Sequence, residues 1–333
     1  MKNKSIYFLA LTIVLLNACK VDEEFDGPSL NDLYGDFVLI NDLDISNRNV
    51  DFSQGQNTFF TASFSKNVNW KIEVKGLSSG AVKRFEGFSN VIDASTATWN
   101  GTTTDLPMFK IESCAVELTM LNVQDTLRDT LQIVGSRVYD GFVVADFENG
   151  WNPGWSTFVQ SGANMSFQVQ TNNSAAQGSR YYEMAGTVSW DWLIGLVDMP
   201  GSAYGAPTYN LTDNPSNLFF NTMVYKPDGI NNGLVLFQFR EDDNGDGMFT
   251  EGNEDMYSIQ VQLTEAGWSQ ISQRYDQIPT LVNGAASAAL GNGIHEPHKL
   301  LKISVLMLAN PTSGYSKAWM DYIIFTEGSE LIP

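Results

Sequence analysis

From about residue 36 onward, apolar and polar residues alternate with a period of two, and no segment carries a sustained i, i+3, i+4, i+7 apolar stripe. Trp70-Lys71-Ile72-Glu73-Val74 alternates cleanly, as do Phe109-Lys110-Ile111 and Cys114-Ala115-Val116-Glu117-Leu118-Thr119-Met120. Such a chain buries every second side chain on one face of a strand, and it has no helical stripe with which to cover a core. Gly, Ser, Asn and Asp separate the runs at short intervals, as turns between strands require. The pattern predicts an all-β protein.

The chain has 333 residues, a length that predicts roughly two domains. Residues 36–137 hold about seven short strands, the pattern of an Ig-like sandwich, without the two-Cys pin of antibody domains. Gly135-Ser136-Arg137 precedes a second all-β block over residues 138–333. With 38 acidic against 19 basic residues, the net charge of −19 argues against a nucleic-acid partner and against docking on anionic lipid. Two Cys cannot staple a scaffold, and two His leave little room for His-rich zinc chemistry.

Residues 1–18 read as a targeting segment. Lys2 and Lys4 precede the apolar run Ile6 to Leu16, which is too short to span a bilayer and suits a signal-peptide core. Leu16-Asn17-Ala18-Cys19 resembles the bacterial lipobox. That resemblance implies cleavage before Cys19 and a membrane anchor through acyl chains on it. Lys20, Val21, Asp22, Glu23, Glu24 and Asp26 resemble the acidic export signal of Bacteroidota-type surface lipoproteins, which implies the outer face of the outer membrane. The same run also reads as a solvated tether, residues 19–35. With Cys19 acylated, Cys114 is left as a small buried hydrophobe in a strand.

Val143-Val144-Ala145-Asp146-Phe147-Glu148-Asn149-Gly150 and Ala318-Trp319-Met320-Asp321-Tyr322-Ile323-Ile324-Phe325 resemble the first and last strands of galactose-binding-domain-like jelly rolls. This is the fold of family 4 and family 11 carbohydrate-binding modules. The resemblance implies that the two end strands lie side by side and that Asp146, Glu148 and Asp321 hold a structural calcium ion. Phe147, Trp319, Ile323 and Phe325 are expected in the core.

A second cation signal is local. Residues 241–255 carry seven carboxylates, which repel one another when gathered on one loop unless a cation joins them. Asp242-x-Asn244-x-Asp246-Gly247 reproduces the first half of an EF-hand loop, but the twelfth position is Asn253 and the flanks alternate like strands. The segment reads either as a calcium-binding hairpin loop or as a solvated acidic tip. In the first case Asp242, Asn244, Asp246 and Met248 supply ligands, and Glu251 or Glu254 completes the shell.

Strand parity points to a binding face. Val235, Phe237 and Phe239 share one side, opposed by Gln238 and Arg240; Ile259 and Val261 share another, opposed by Gln260 and Gln262. With Asn221 and Tyr225 of Leu218–Tyr225, the outward side carries amides and one Arg, groups that hydrogen-bond sugar hydroxyls. A plain solvated face is the competing reading. Sugars also need flat apolar platforms, for which the loop residues Trp151, Trp155, Trp190, Trp192, Tyr204 and Tyr209 are candidates. Trp190 and Trp192 are the preferred pair, since one of two alternate Trp can be core and the other exposed. Trp70 is expected in a core.

Catalytic motifs are missing: no Gly-x-Ser-x-Gly, no His-Glu-x-x-His, no phosphate-cradling loop. His295-Glu296-Pro297-His298 has a proline where a metal-binding helix would run, so it reads as a turn. Taken together, the chain resembles the surface glycan-binding lipoproteins of starch-utilisation-type uptake systems. That resemblance implies a glycan ligand, association with an outer-membrane importer, and no catalysis. An adhesion lipoprotein with a protein partner is the alternative, and a polysaccharide hydrolase or lyase a more distant one.

Overall fold

The computed structural model describes residues 35–333, so the signal peptide, Cys19 and nearly all of the tether lie outside the described residues. The protein is all-β. Seven strands make up the first unit: β1 (Leu39–Ile45), β2 (Asn49–Asp51), β3 (Thr58–Gly76), β4 (Val82–Ile92), β5 (Thr98–Trp99), β6 (Ser113–Met120) and β7 (Leu127–Gly135). β3 is the spine. Its early residues pair with β1 and β5, its later ones with β6, and β4 runs beside both parts. The alternation around Trp70 thus belongs to a 19-residue strand instead of a short one. Trp70, Ile72, Val74, Val116, Leu118 and Ile133 are buried together, with Cys114 among them, where burial pushes its thiol well above the ordinary value.

Thirteen further strands follow: β8 (Phe142–Ala145), β9 (Ser156–Val159), β10 (Asn164–Thr171), β11 (Arg180–Val188), β12 (Leu193–Pro200), β13 (Leu218–Lys226), β14 (Gly233–Glu241), β15 (Met256–Gln262), β16 (Gly267–Arg274), the short β17 (Leu281–Val282) and β18 (Ala285–Ala286), β19 (Leu300–Ala309) and β20 (Gly314–Glu327). Two sheets form a sandwich. One runs β10-β11-β20-β13-β16 with β8 beside β20; the other runs β15-β14-β19-β12-β9. The end strands pair antiparallel, Ala145 opposite Ile323 and Phe142 opposite Phe325.

Facing side chains from both sheets fill the space between them, as packed sheets about 10 Å apart require. The Phe220 ring of β13 lies 5.2 Å from Phe237 and 4.9 Å from Phe239 of β14, and 5.6 Å from Phe325 of β20. Val235, Phe237 and Phe239 are fully buried, as their parity predicts.

The first unit rests on the outer side of the six-stranded sheet. Met108 is buried with Met223, Tyr322, Ile324 and Leu331, its N–H donates to Ala176 O (2.8 Å), and Lys110 Nζ donates to Asn173 O (3.1 Å). The chain end joins in, with Thr103 N–H donating to Pro333 O (2.7 Å). This docking occupies one outer face of the sandwich. The candidate site lies on the other sheet.

Candidate functional site

Rows of outward side chains cross the five-stranded sheet in register. Arg240 of β14 lies opposite Lys302 of β19, which lies opposite Pro200 of β12; in the next row Gln238, Ser304 and Asp198 line up. Arg240 Nη1 donates to Ser304 Oγ, which donates to Asp198 Oδ1, and Arg240 Nη2 donates to Gln238 Oε1 (2.9 Å). Lys302 Nζ donates to Asp198 Oδ2 (2.9 Å). Arg240 Nη1 is also 3.7 Å from Asp198 Oδ1. Burial pulls the Arg240 guanidinium below its ordinary value, while the charges of Asp198 and Glu251 oppose that shift. The Gln238, Arg240 and Lys302 side chains are each carried by a strand and bonded to a neighbour, so the floor is pre-organised for polar recognition.

Two loops raise walls around the floor. The turn after β12, with Ser202 and Gly205-Ala206-Pro207, stands on one side; Gly247-Met248-Phe249 and Glu251 of the β14–β15 loop stand on the other. They enclose a cavity of about 950 Å³ that opens to solvent. The Arg240 guanidinium sits 5.5 Å from the Phe249 ring centre, within cation–π range.

The β14–β15 loop is organised by its own carboxylates. Asp242 Oδ1 accepts from Gly245 N–H (2.7 Å) and Asp246 N–H (3.1 Å), and its Oδ2 accepts from Gly247 N–H (2.9 Å). Glu254 Oε2 accepts from Thr250 N–H (2.6 Å). Asp242, Asp246 and Glu254 bring carboxylate oxygens within 4.8 Å of one another. Asn244 is joined to Asp246, its Oδ1 accepting from Asp246 N–H (2.8 Å). Behind them Asp255 accepts from Gly291 and Gly293 N–H, and buried Glu241 accepts from Tyr275 Oη (2.8 Å) and Glu296 N–H. Burial pushes Glu241 up to about 8. Of the two acids expected to complete the shell, Glu254 joins the cluster, whereas Glu251 and Met248 face the groove.

The other sequence candidates scatter. Gln238 and Arg240 share the groove floor, and Gln260 and Gln262 lie on the same outer face at its β15 edge, Gln262 Nε2 donating to Gly233 O (3.0 Å). Asn221 and Tyr225 do not belong to this face, which corrects the parity reading. β13 and β14 follow one another in sequence but enter different sheets. Asn221 is fully buried there, donating to Thr326 Oγ1 (3.0 Å) and accepting from Leu331 N–H (3.0 Å). Tyr225 stacks on Trp319 at 4.1 Å, outside the six-stranded sheet, so Trp319 is not an interior residue either.

Trp192 packs over the outer leucines of the five-stranded sheet, Leu234, Leu236, Leu306 and Leu308, beyond the polar rows. Trp190 packs against the interior, its Nε1 donating to Leu193 O (3.2 Å). Trp155 and Tyr209 are buried, and Tyr204 Oη donates to Val144 O (2.6 Å). His295 stacks on Tyr257 at 3.8 Å, in irregular backbone ahead of a 3-10 helix over Pro297–Lys299 where the sequence reads as a turn. Asp198, Ser304, Lys302 and Phe249 went unnoticed in the sequence. Asp198, Ser304 and Lys302 carry only strand parity, which does not name their sheet partners, and Phe249 lies in a loop with no periodic signal.

Asp146, Glu148 and Asp321 do not bring three carboxylate oxygens within 4.8 Å of one another. Glu148 accepts from Ser179 and Arg180 N–H (2.8 and 2.7 Å), Asp146 accepts from Glu148 N–H (3.1 Å), and Asp321 accepts from Gln177 and Tyr322 N–H (2.9 and 2.8 Å). Among the described residues, the group of three or more acidic side chains gathered within 4.8 Å is the one at Asp242. Burial pushes Asp321 well above the ordinary carboxylate value, and the neighbouring Gln177 Oε1 is buried without a hydrogen-bond partner. The end-strand acids thus tie the 176–180 loop to both end strands.

No protein-family model matches the chain, and no curated protein matches it. Among solved structures it is similar to a carbohydrate-binding module of the β-sandwich superfamily, 12% identical, over 87% of this chain and 98% of that one, with a TM-score of 0.39. It is also similar to the family 11 carbohydrate-binding module of a Clostridium thermocellum cellulosomal cellulase, 15% identical, over 58% and 96%, TM-score 0.40. A third is SGBP-B from a complex xyloglucan utilization locus in Bacteroides uniformis, 12% identical, over 85% and 72%, TM-score 0.34.

Proposed function

We propose that the outer face of the five-stranded sheet binds a polysaccharide or oligosaccharide, and that the chain captures glycan without transforming it. The observation that carries this reading is the groove floor of Gln238, Arg240 and Lys302, held by Ser304 and Asp198 between two loop walls. Sugar hydroxyls want fixed amide and guanidinium partners, and a rigid strand scaffold supplies them with little ordering cost on binding. Phe249 and Met248 offer apolar contact for sugar C–H groups at the rim.

The same proposal places the protein at the outer-membrane surface, anchored through acylated Cys19 and working beside a glycan importer. Calcium at Asp242, Asp246 and Glu254 would brace the loop whose Met248–Glu251 segment forms one groove wall. The first unit, docked on the opposite sheet, leaves the groove unobstructed. Affinity electrophoresis of the chain lacking residues 1–19 tests the reading, with xyloglucan, mixed-linkage β-glucan, xylan and polygalacturonate as probes. Retardation by at least one of them, weakened by Arg240→Met, is the expected result. Unaltered migration through all of a broad panel would remove the glycan assignment.

A further inference from the structure

Three charged side chains line the groove, Arg240, Lys302 and Glu251, and Asp198 lies behind the lining, paired with both cations. Asp198 accounts for most of the pairing. Its two oxygens receive Ser304 Oγ and Lys302 Nζ, and through Ser304 it also holds the Arg240 guanidinium. Its side chain is 22% exposed and that of Arg240 17%, so this charge balance is set in a partly desolvated place, where unpaired charge counts for more than at the open surface. Glu251, exposed on the wall, supplies the second negative charge.

We infer that Asp198 is a specificity-determining residue: it cancels the cationic floor so that the groove ignores acidic sugars. This inference rests on the glycan-binding reading for its biological meaning but not for its test. Without Asp198, two cations would face the cavity opposed by one exposed carboxylate. Such a pair fits the carboxylate of a uronic acid, because guanidinium and ammonium donors form charge-assisted hydrogen bonds with carboxylates. The protein's excess of acidic residues repels polyanions at long range but is screened beyond about 8 Å at physiological salt, so the local balance decides. Selectivity built by withholding charge is discrimination through an unfavourable alternative, and one substitution reverses it.

The experiment measures retardation by polygalacturonate of wild type, Asp198→Asn, Glu251→Gln and Asp198→Asn/Lys302→Met, with thermal melts on each. Glu251 is exposed on a loop, so its variant keeps the charge test decisive if Asp198→Asn fails to fold. The expected result is no retardation of wild type and an affinity gain of about tenfold or more in each single variant. That gain disappears in about 0.5 M sodium chloride and in the double variant. Salt-sensitive retardation of wild type would overturn the inference, as would folded single variants that migrate like wild type. Failure of wild type to bind any neutral polysaccharide, alongside a gain in the variants, would remove the proposed function and leave the charge selection standing.

Discussion

Arg240→Met and Phe237→Ala separate the groove from the core within one strand. The two positions lie three residues apart on opposite faces of β14. Arg240→Met keeps the apolar stem and deletes the guanidinium, while Asp198 retains Lys302 at 2.9 Å and Ser304 as partners. No carboxylate is stranded, so the stability loss should stay near 1 kcal/mol, the scale of a lost hydrogen bond. For binding, a lost hydrogen bond from a charged donor costs about 1.5–3 kcal/mol, a roughly 10- to 150-fold fall in affinity.

Phe237 is fully buried against Phe220. Its truncation should cost about 3–5 kcal/mol of stability. At about 2–4 °C per kcal/mol for a unit of this size, the melting temperature should fall by roughly 6–20 °C. Calorimetric titration with a retained polysaccharide, together with thermal melts, reads both quantities on both variants. An Arg240→Met protein that is folded and binds with wild-type affinity would refute the placement of the site. A Phe237→Ala protein that melts like wild type would refute the sandwich core.

Calcium should stabilise the fold relative to chelator, by about 2.7 kcal/mol at a hundredfold excess over Kd, seen as a rise in melting temperature that Asp242→Asn/Asp246→Asn should abolish; coincident melts of wild type in both conditions would remove the cation. Trp190→Ala should destabilise the fold with little change in affinity, while Trp192→Ala should act mainly on binding, because it lies on the outer face; the reverse ranking in melts and titrations would misplace both. Glu112 accepts from Ser78, Ser79 and Lys110 donors, which hold its carboxyl below the ordinary range despite burial. A depressed folded-state pKa stabilises above the unfolded value of about 4.3 and is lost as pH falls through the folded value. The melting deficit of Glu112→Gln should therefore be largest near neutral pH and shrink in acid, and a pH-independent deficit would contradict this.

Local periodicity and composition determined a good deal of this protein. The period-2 pattern dictated an all-β chain and put Phe237 inside and Arg240 outside, because alternation along one strand is a property of that strand alone. The acidic loop was legible for the same reason: its carboxylate spacing is local, and the structure gathers Asp242, Asp246 and Glu254. Sheet membership was not local. β13 and β14 are neighbours in sequence yet belong to opposite sheets, so the parity of Asn221 and Tyr225, however regular, pointed them at a different surface. Conversely, Asp198 lies 42 positions before Arg240 and Ser304 lies 64 after it, and only the registers of β12, β19 and β14 bring them together. Trp319 alternates like an interior residue, but which side of β20 faces the core depends on the sheet packed against it. A strand's pattern tells which residues travel together; hydrogen-bonded register and the packing of one sheet on another decide where they arrive.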